Sequence, residues 1–405
     1  MHLQCSNSGC SLCLDINDRA LQCPRCGELL EIILVLPPDA HRLRQTFRDR
    51  RGSHEPIDRS GVWRFREFLP NFYARDLVVT LQEGNTPLLL APRCAAYAGL
   101  KRLLVKHLGW NPTGSFKDTG MTVGMTQAKY LGATRVACAS TGNTAASMSA
   151  YAARAGIAAR VYLPRGSISG AKLAQSLDYG AEIVEVEGNF DSALERMLQL
   201  AEPEIYFLNS INPFRIEGQK TVIFEIIEQL DWRSPDYIVL PGGNLGNAAA
   251  FGKALQELKA AGLIDQVPRL VIVQAEGANP LVRAWQKGGE KLETISEPQT
   301  AATAIRIGAP RSWKKAVRAL RFTAGLCVDV SEEQIADAKA MIGQDGIGCE
   351  PASATTLAGI RKLMSERLLD RDATVVAMLT GHVLKDPDYI VRNAKVSSFE
   401  FRASD

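Results

Sequence analysis

From about residue 100 the chain alternates short, almost wholly apolar runs with longer segments whose apolar positions recur at helical spacing. The runs at 135–140, 158–164, 181–188, 204–210, 236–243, 269–276 and 374–381 predict strands. The segments at 145–156, 169–180, 247–262 and 350–363 predict helices, with a further helix between 188 and 204. Gly156 and Gly180 follow the last periodic residue of their helices, the position where a left-handed glycine stops a helix. Strands that are apolar on both faces and alternate with helices predict parallel sheets covered on both sides, an α/β architecture. Ligands in such folds gather in the loops beyond the carboxyl ends of the strands.

Ahead of that region the pattern is different. Residues 1–35 are cysteine-rich, and 36–75 carry many arginines with few periodic apolar positions, which reads as a linker or an arm laid on another surface. A length of 405 residues implies two or three domains at about 150 residues each. Lys and Arg total 47 against 44 Asp and Glu, a net charge of +3. That balance argues against a protein that coats nucleic-acid phosphates. The longest apolar run, 32–36, is too short to span a bilayer, and the N-terminus has no charged-then-apolar export pattern, so a cytoplasmic protein is expected.

Three loops place small polar residues between a strand and a helix start. In the first, 111–122, Ser115 and Asp118 have the spacing of a capping box, which puts Lys117 in the first helical turn. The helix dipole there disfavours a cation and favours the neutral, nucleophilic amine needed for a Schiff base. In the second, Ser140, Thr141, Asn143 and Thr144 surround Gly142 at a helix start, an arrangement that can hold an anion. In the third, Gly242, Gly243 and Gly246 let the backbone approach a phosphate ahead of a helix. The spacing G-G-x-x-G is neither the dinucleotide fingerprint nor a P-loop. One reactive lysine and two anion turns together describe a pyridoxal phosphate site that accepts an acidic substrate.

The motifs around these loops carry a resemblance. GWNPTGSFKDTGMT with Lys117, STGNT, NSINPFRIEGQKT (209–221), PGGNLGN, ATAIRIGAP (302–310) and LTGHVLKDP (379–387) resemble threonine synthases. That family belongs to the fold type II pyridoxal phosphate enzymes, the tryptophan synthase β group, and the likeness runs from about residue 80 to 393. It implies two α/β domains, at 95–208 with the lysine and at 209–395 with the phosphate loop. An arm at 36–94 would pack on the larger domain, a zinc-ribbon-like segment would occupy 1–35, and 396–405 would form a tail. It further implies that Lys117 binds pyridoxal 5'-phosphate covalently and moves protons. Asn143 would meet the phenolic oxygen, Thr380 the pyridine nitrogen, and Gly242, Gly243, Asn244, Leu245, Gly246 and Asn247 the cofactor phosphate. Ser140, Thr141, Thr144, Asn209, Arg215 and Asn247 would bind the substrate's own phosphate. The implied reaction makes L-threonine and phosphate from O-phospho-L-homoserine and water, in a homodimer. Three positions depart from the family pattern: Leu108 where Glu is common, Thr119 where Arg is frequent, and Val383 where Gly is usual. His382 is expected to be structural. A paralogue acting on O-phosphoserine is the enzymatic alternative, because the same lysine and anion turns would serve it.

Of 9 cysteines, five lie in the first 26 residues. Cys10, Cys13, Cys23 and Cys26 form two C-x2-C pairs, the spacing of a tetrahedral structural zinc site, with Cys5 left free. A ribbon of this kind also admits a non-enzymatic reading, an adaptor carrying a degenerate enzyme domain. The intact Lys117, Asn143 and glycine-loop set argues against it.

Overall fold

The computed structural model describes residues 1–70, 73–165, 170–187 and 204–393. Its strands are β1 (His2–Cys5), β2 (Cys13–Leu14), β3 (Leu30–Ile33), β4 (Leu88–Leu90), β5 (Leu103–His107), β6 (Arg135–Ala139), β7 (Ala158–Pro164), β8 (Glu182–Val186), β9 (Ile205–Phe207), β10 (Tyr237–Pro241), β11 (Arg269–Ala275), β12 (Leu326–Val330) and β13 (Val375–Leu379). They form three sheets, ordered β2-β1-β3, β12-β11-β10-β13-β5-β4 and β8-β7-β6-β9. The four-stranded sheet is parallel throughout. The six-stranded sheet is parallel except for β4, which runs antiparallel along β5 at one edge.

The helices that position the site are α1 (Ala40–Arg51), α2 (Lys117–Tyr130), α3 (Asn143–Ala155), α4 (Pro213–Gln229), α5 (Gly246–Ala260), α6 (Trp313–Phe322) and α7 (Pro351–Ser365). The large sheet buries alternate residues into two cores. Leu104, Leu240, Ile272 and Val376 face one, and Val105, Val239, Val273 and Ala377 face the other. At roughly 1.5–3 kcal/mol for each fully buried aliphatic side chain, neither face could be left open to water. Gly156 and Gly180 have φ of +70° and +76°, the left-handed stops expected of them.

The boundary expected at residue 95 has to be corrected. β5 pairs in parallel with β13, so the chain up to residue 107 belongs to the six-stranded sheet. Every residue of β5 is buried, and such a strand needs a neighbour on each edge, which β13 and β4 supply. Helix α4, next to the expected boundary at 209, packs against both α2 and α5. The contact with α2 is close: a β-carbon on Gly120 would lie 2.7 Å from the Arg215 carbonyl oxygen, and one on Gly218 would overlap the Thr119 carbonyl. The arginine-rich segment is a folded arm. Leu43 and Phe47 of α1 are buried, and the rings of Phe65 and Phe68 pack at a tilt against Phe224 of α4, with centroids 5.4 and 4.7 Å away. The helix expected between 188 and 204 and the tail at 396–405 lie outside the described residues. Among the described residues no helix is long and apolar enough to cross a membrane.

Candidate active site

The site loops all leave the carboxyl ends of parallel strands. Ser140 follows β6, Asn209 follows β9, Gly242 follows β10 and Thr380 follows β13. The lysine loop is pinned to the last of these. Phe116 N–H donates to the Thr380 carbonyl at 2.9 Å, and Ser115 bridges Gly381.

Lys117 is the first residue of α2. Its amine lies 4.2 Å from the Phe116 ring centre, and its pKa falls from the ordinary lysine value to about 7. Burial of the amine is the largest cause, the Arg215 guanidinium adds to it, and the Glu350 carboxylate opposes it. Burial, rather than the helix dipole expected from the sequence, thus dominates the shift. The capping box does not form either: Phe116 occupies the cap position with no side-chain bond to the helix. Asp118 turns inward instead. Its carboxylate accepts from Thr113 N–H at 2.7 Å, Thr113 Oγ1 at 2.6 Å and Ser147 Oγ at 2.6 Å. That joins α2 to α3 and fixes Lys117 relative to Asn143. Burial raises Asp118 to about 6 against these donors.

At the start of α3, Ser140 Oγ accepts from Gly142 N–H at 3.2 Å, and Thr141, Asn143 and Thr144 are half-buried. Asn143 Nδ2 donates to Glu350 Oε2 at 3.1 Å, and Thr380 Oγ1 donates to Glu350 Oε1 at 3.3 Å. Ser353 Oγ holds Thr380 from behind, accepting from its N–H at 2.8 Å. Glu350 immediately precedes α7 but does not cap it, because its carboxylate points into the site, where burial raises its pKa.

Arg215 is fully buried in the first turn of α4. Its Nη1 donates to the Leu208 carbonyl at 3.0 Å, while Nε and Nη2 have no partner. Asn209 spends its amide on Ala139, accepting from its N–H and donating to its carbonyl, each at 3.1 Å, so it secures the Ser140 turn. Of the glycine loop, Gly242 N–H is already bonded to Val273 O at 2.7 Å. Asn244 ties the loop to Ser210 at 2.7 Å and to Arg311 N–H at 2.7 Å. Leu245, at φ +65°, turns the chain into α5, whose first turn contains Gly246 and buried Asn247. Gln219 stands between the two loops. A β-carbon on Gly120 would lie 2.9 Å from its Nε2, and one on Gly246 would lie 3.4 Å from its unpartnered Oε1.

The comparisons fit this geometry. A family model described as pyridoxal-phosphate dependent enzyme matches residues 79–381. Threonine synthase from Methanocaldococcus jannaschii is 44% identical over 385 residues, covering 95% of this chain and 93% of that protein. Threonine synthase from Mycobacterium leprae is 46% identical over 318 residues, covering 78% and 86%. The chain belongs to the threonine synthase family of pyridoxal-phosphate dependent enzymes. Solved structures agree on the α/β fold. Processed threonine deaminase isoform 2 from Solanum lycopersicum has a TM-score of 0.64 at 20% identity, over 87% of this chain and 93% of that one. A fungal L-serine ammonia-lyase from Rhizomucor miehei has a TM-score of 0.65 at 19% identity, over 76% and 98%. At those identities the likeness concerns the fold alone.

Three site residues of this threonine synthase family member were not legible as such: Asp118, Gln219 and Glu350. Glu350 left one signal, an acidic residue directly before a proline that opens a helix. Val383, a departure from the family pattern, is accommodated by Gly348, where a β-carbon would lie 2.9 Å from the Val383 side chain. His382 Nδ1 accepts from Leu384 N–H at 3.2 Å, and the His382 backbone N–H donates to Gly114 O at 2.9 Å. Leu108 is core, and Thr119 Oγ1 donates to Phe116 O at 2.8 Å.

The cysteine expectation needs correction. Cys5, Cys10, Cys23 and Cys26 come together, their sulfurs all within 4.8 Å of one another, and Cys13 does not join them. Cys13 pairs with Gln4 across the β1–β2 ladder. Paired residues share a face and neighbours along a strand alternate, so Cys13 points away from the side that Leu3 and Cys5 bury.

Proposed function

We propose that this chain converts O-phospho-L-homoserine and water to L-threonine and phosphate. The observation that carries the reading is Arg215, a buried guanidinium with two nitrogens unpartnered, close enough to Lys117 to lower its pKa. An unpaired buried cation costs several kcal/mol, so the pocket is built to receive an anion. A phosphorylated amino acid would place its phosphate there while its α-carbon reaches Lys117.

The residues present fit pyridoxal phosphate. A lysine amine brought down to about 7, the side chains of Asn143 and Thr380, and a glycine turn at the N-terminus of α5 match its aldehyde, ring and phosphate. Lys117, Asn143, Thr380 and the 242–247 loop would hold it. Bound there, the cofactor supplies an electron sink for negative charge developing at the substrate's carbons. Lys117 carries protons at Cα and Cβ. Ser140, Thr141, Thr144, Asn247 and Arg215 grip the substrate phosphate and stabilise charge as the Cγ–O bond breaks. Homoserine would leave these buried donors unmet and is rejected. Asn209 contributes by fixing the Ser140 turn through Ala139. The enzyme works in the cytoplasm as a homodimer, without nucleic-acid or membrane partners, and a structural zinc ion in the N-terminal ribbon completes the cofactor set.

The test is product analysis with O-phosphohomoserine, O-phosphoserine and homoserine. The reading expects threonine and phosphate in equal amounts from the first and little turnover of the others. Faster turnover of O-phosphoserine would assign the chain to a β-replacement reaction instead.

A further inference from the structure

Resting on the zinc reading above, we propose that the ion is bound by Cys5, Cys10, Cys23 and Cys26, and that the metal-closed ribbon is a clasp on the two helices that present Lys117 and Arg215. The sulfur geometry supports the ligand set. Cys5 Sγ lies 3.5 Å from Cys26 Sγ, and Cys10 Sγ lies 3.8 Å from Cys23 Sγ. A tetrahedral thiolate site with Zn–S bonds of about 2.3 Å has sulfurs about 3.8 Å apart. Two turns supply the ligands. Cys10 N–H donates to Asn7 O at 2.9 Å in the first, and Gly27 N–H donates to Cys23 O at 2.8 Å in the second. Gly27, at φ +73°, reverses the chain directly after Cys26.

The ribbon is too small to hold itself together by apolar burial alone. Its inner face does double duty. Leu3, Leu30 and Ile32 are wholly buried in one cluster with Trp63, Val123 and Phe214. Val123 lies on α2 beyond Lys117, and Phe214 adjoins Arg215 on α4. Polar contacts fasten the same strand to the large domain. Lys315 Nζ of α6 donates to Leu30 O at 2.8 Å, and Lys253 Nζ of α5 donates to Ile32 O at 2.5 Å. Lys253 also pairs with Glu217 of α4. Metal closure at one end therefore fixes the packing beneath the phosphate-binding arginine at the other.

The experiment uses the full chain loaded with pyridoxal phosphate. Zinc content is measured by mass spectrometry of the metal in wild type, Cys13→Ser, Cys5→Ser and Cys10→Ser. The affinity for inorganic phosphate and the amide hydrogen exchange of α2 and α4 are followed as zinc is removed by a chelator and restored. The expected result is about one zinc per chain in wild type and Cys13→Ser, and none in the other two. Zinc removal should weaken phosphate binding several-fold and speed exchange around Val123 and Phe214, both reversed when zinc returns. Loss of zinc from Cys13→Ser with retention in Cys5→Ser would overturn the ligand set while leaving zinc in place. A zinc-free wild type would overturn the metal reading itself. Unchanged exchange and phosphate affinity after zinc loss would overturn the clasp.

Discussion

Glu350 accepts a hydrogen bond from Asn143 Nδ2 at 3.1 Å, which joins the start of α7 to the start of α3. The same carboxylate takes the Thr380 hydroxyl at 3.3 Å. The two groups that the family resemblance assigns to opposite edges of the cofactor ring are thus tied to one buried acid. Glu350→Ala should leave the Asn143 amide without its acceptor, at about 1–3 kcal/mol, while the Thr380 hydroxyl keeps Ser353 Oγ at 3.1 Å. A lower unfolding temperature and weaker cofactor binding are expected, with Glu350→Gln retaining most of the stability. Equal stability in wild type and Glu350→Ala would remove Glu350 from the site's framework.

The charges around Lys117 make a prediction with a sign. With a pKa of about 7, the amine is neutral and nucleophilic above that pH and protonated below it. Capture of pyridoxal phosphate by the cofactor-free protein should speed up with rising pH and level off above about 7. Arg215 lowers this pKa and Glu350 raises it. Arg215→Gln should therefore move the levelling point to higher pH and Glu350→Gln to lower pH. No shift in either variant would show that neither charge acts on the amine.

In the proposed reaction Arg215 also sets phosphate affinity. Removing a buried charge partner costs roughly 2–5 kcal/mol, so Arg215→Ala should raise KM for the phosphorylated substrate by more than tenfold and abolish inhibition by inorganic phosphate. Arg215→Lys should recover only part of this, since an ammonium cannot offer the paired geometry of a guanidinium. An unchanged KM in Arg215→Ala would place the phosphate elsewhere.

Gly348 and Val383 form a coupled pair. Gly348→Ala would press a methyl group against Val383 at 2.9 Å. Overpacking of that kind costs about 1–3 kcal/mol. Val383→Gly in the same chain should restore most of the loss, measured as denaturant midpoints in a double-mutant cycle. Strictly additive effects would mean the two residues do not touch.

Much of this architecture was legible in the chain. Residues 158–164 read as a strand because a short, mostly apolar run, broken only by Arg160, lies between two glycine-terminated helices, and β7 spans those residues. β5 was missed because Lys106 and His107 interrupt its apolar run, although both are buried: Lys106 pairs with Glu225 at 2.7 Å and His107 Nε2 bonds Gly348 O at 2.8 Å. Helix α1 was missed because it buries only Leu43 and Phe47 among arginines. The loops around Lys117, Asn143 and Gly242 announced themselves by small polar residues at strand ends, whereas Thr380 entered only through the family resemblance. Glu350, Asp118 and Gln219 did not, since a buried carboxylate or amide is defined by partners far away in sequence. The cysteine ligand set failed for a related reason: spacing counts residues, whereas the β1–β2 register decides which side chains share a face.

In the proposed reaction the Lys117 amine is the one that binds pyridoxal phosphate. Borohydride reduction of the cofactor-loaded protein, followed by peptide mass mapping, tests it directly. The reduced pyridoxyl group is expected on Lys117 and on no other lysine. A label on Lys385, which donates to Thr113 O at 3.1 Å in the same loop, or on Lys106 would contradict it.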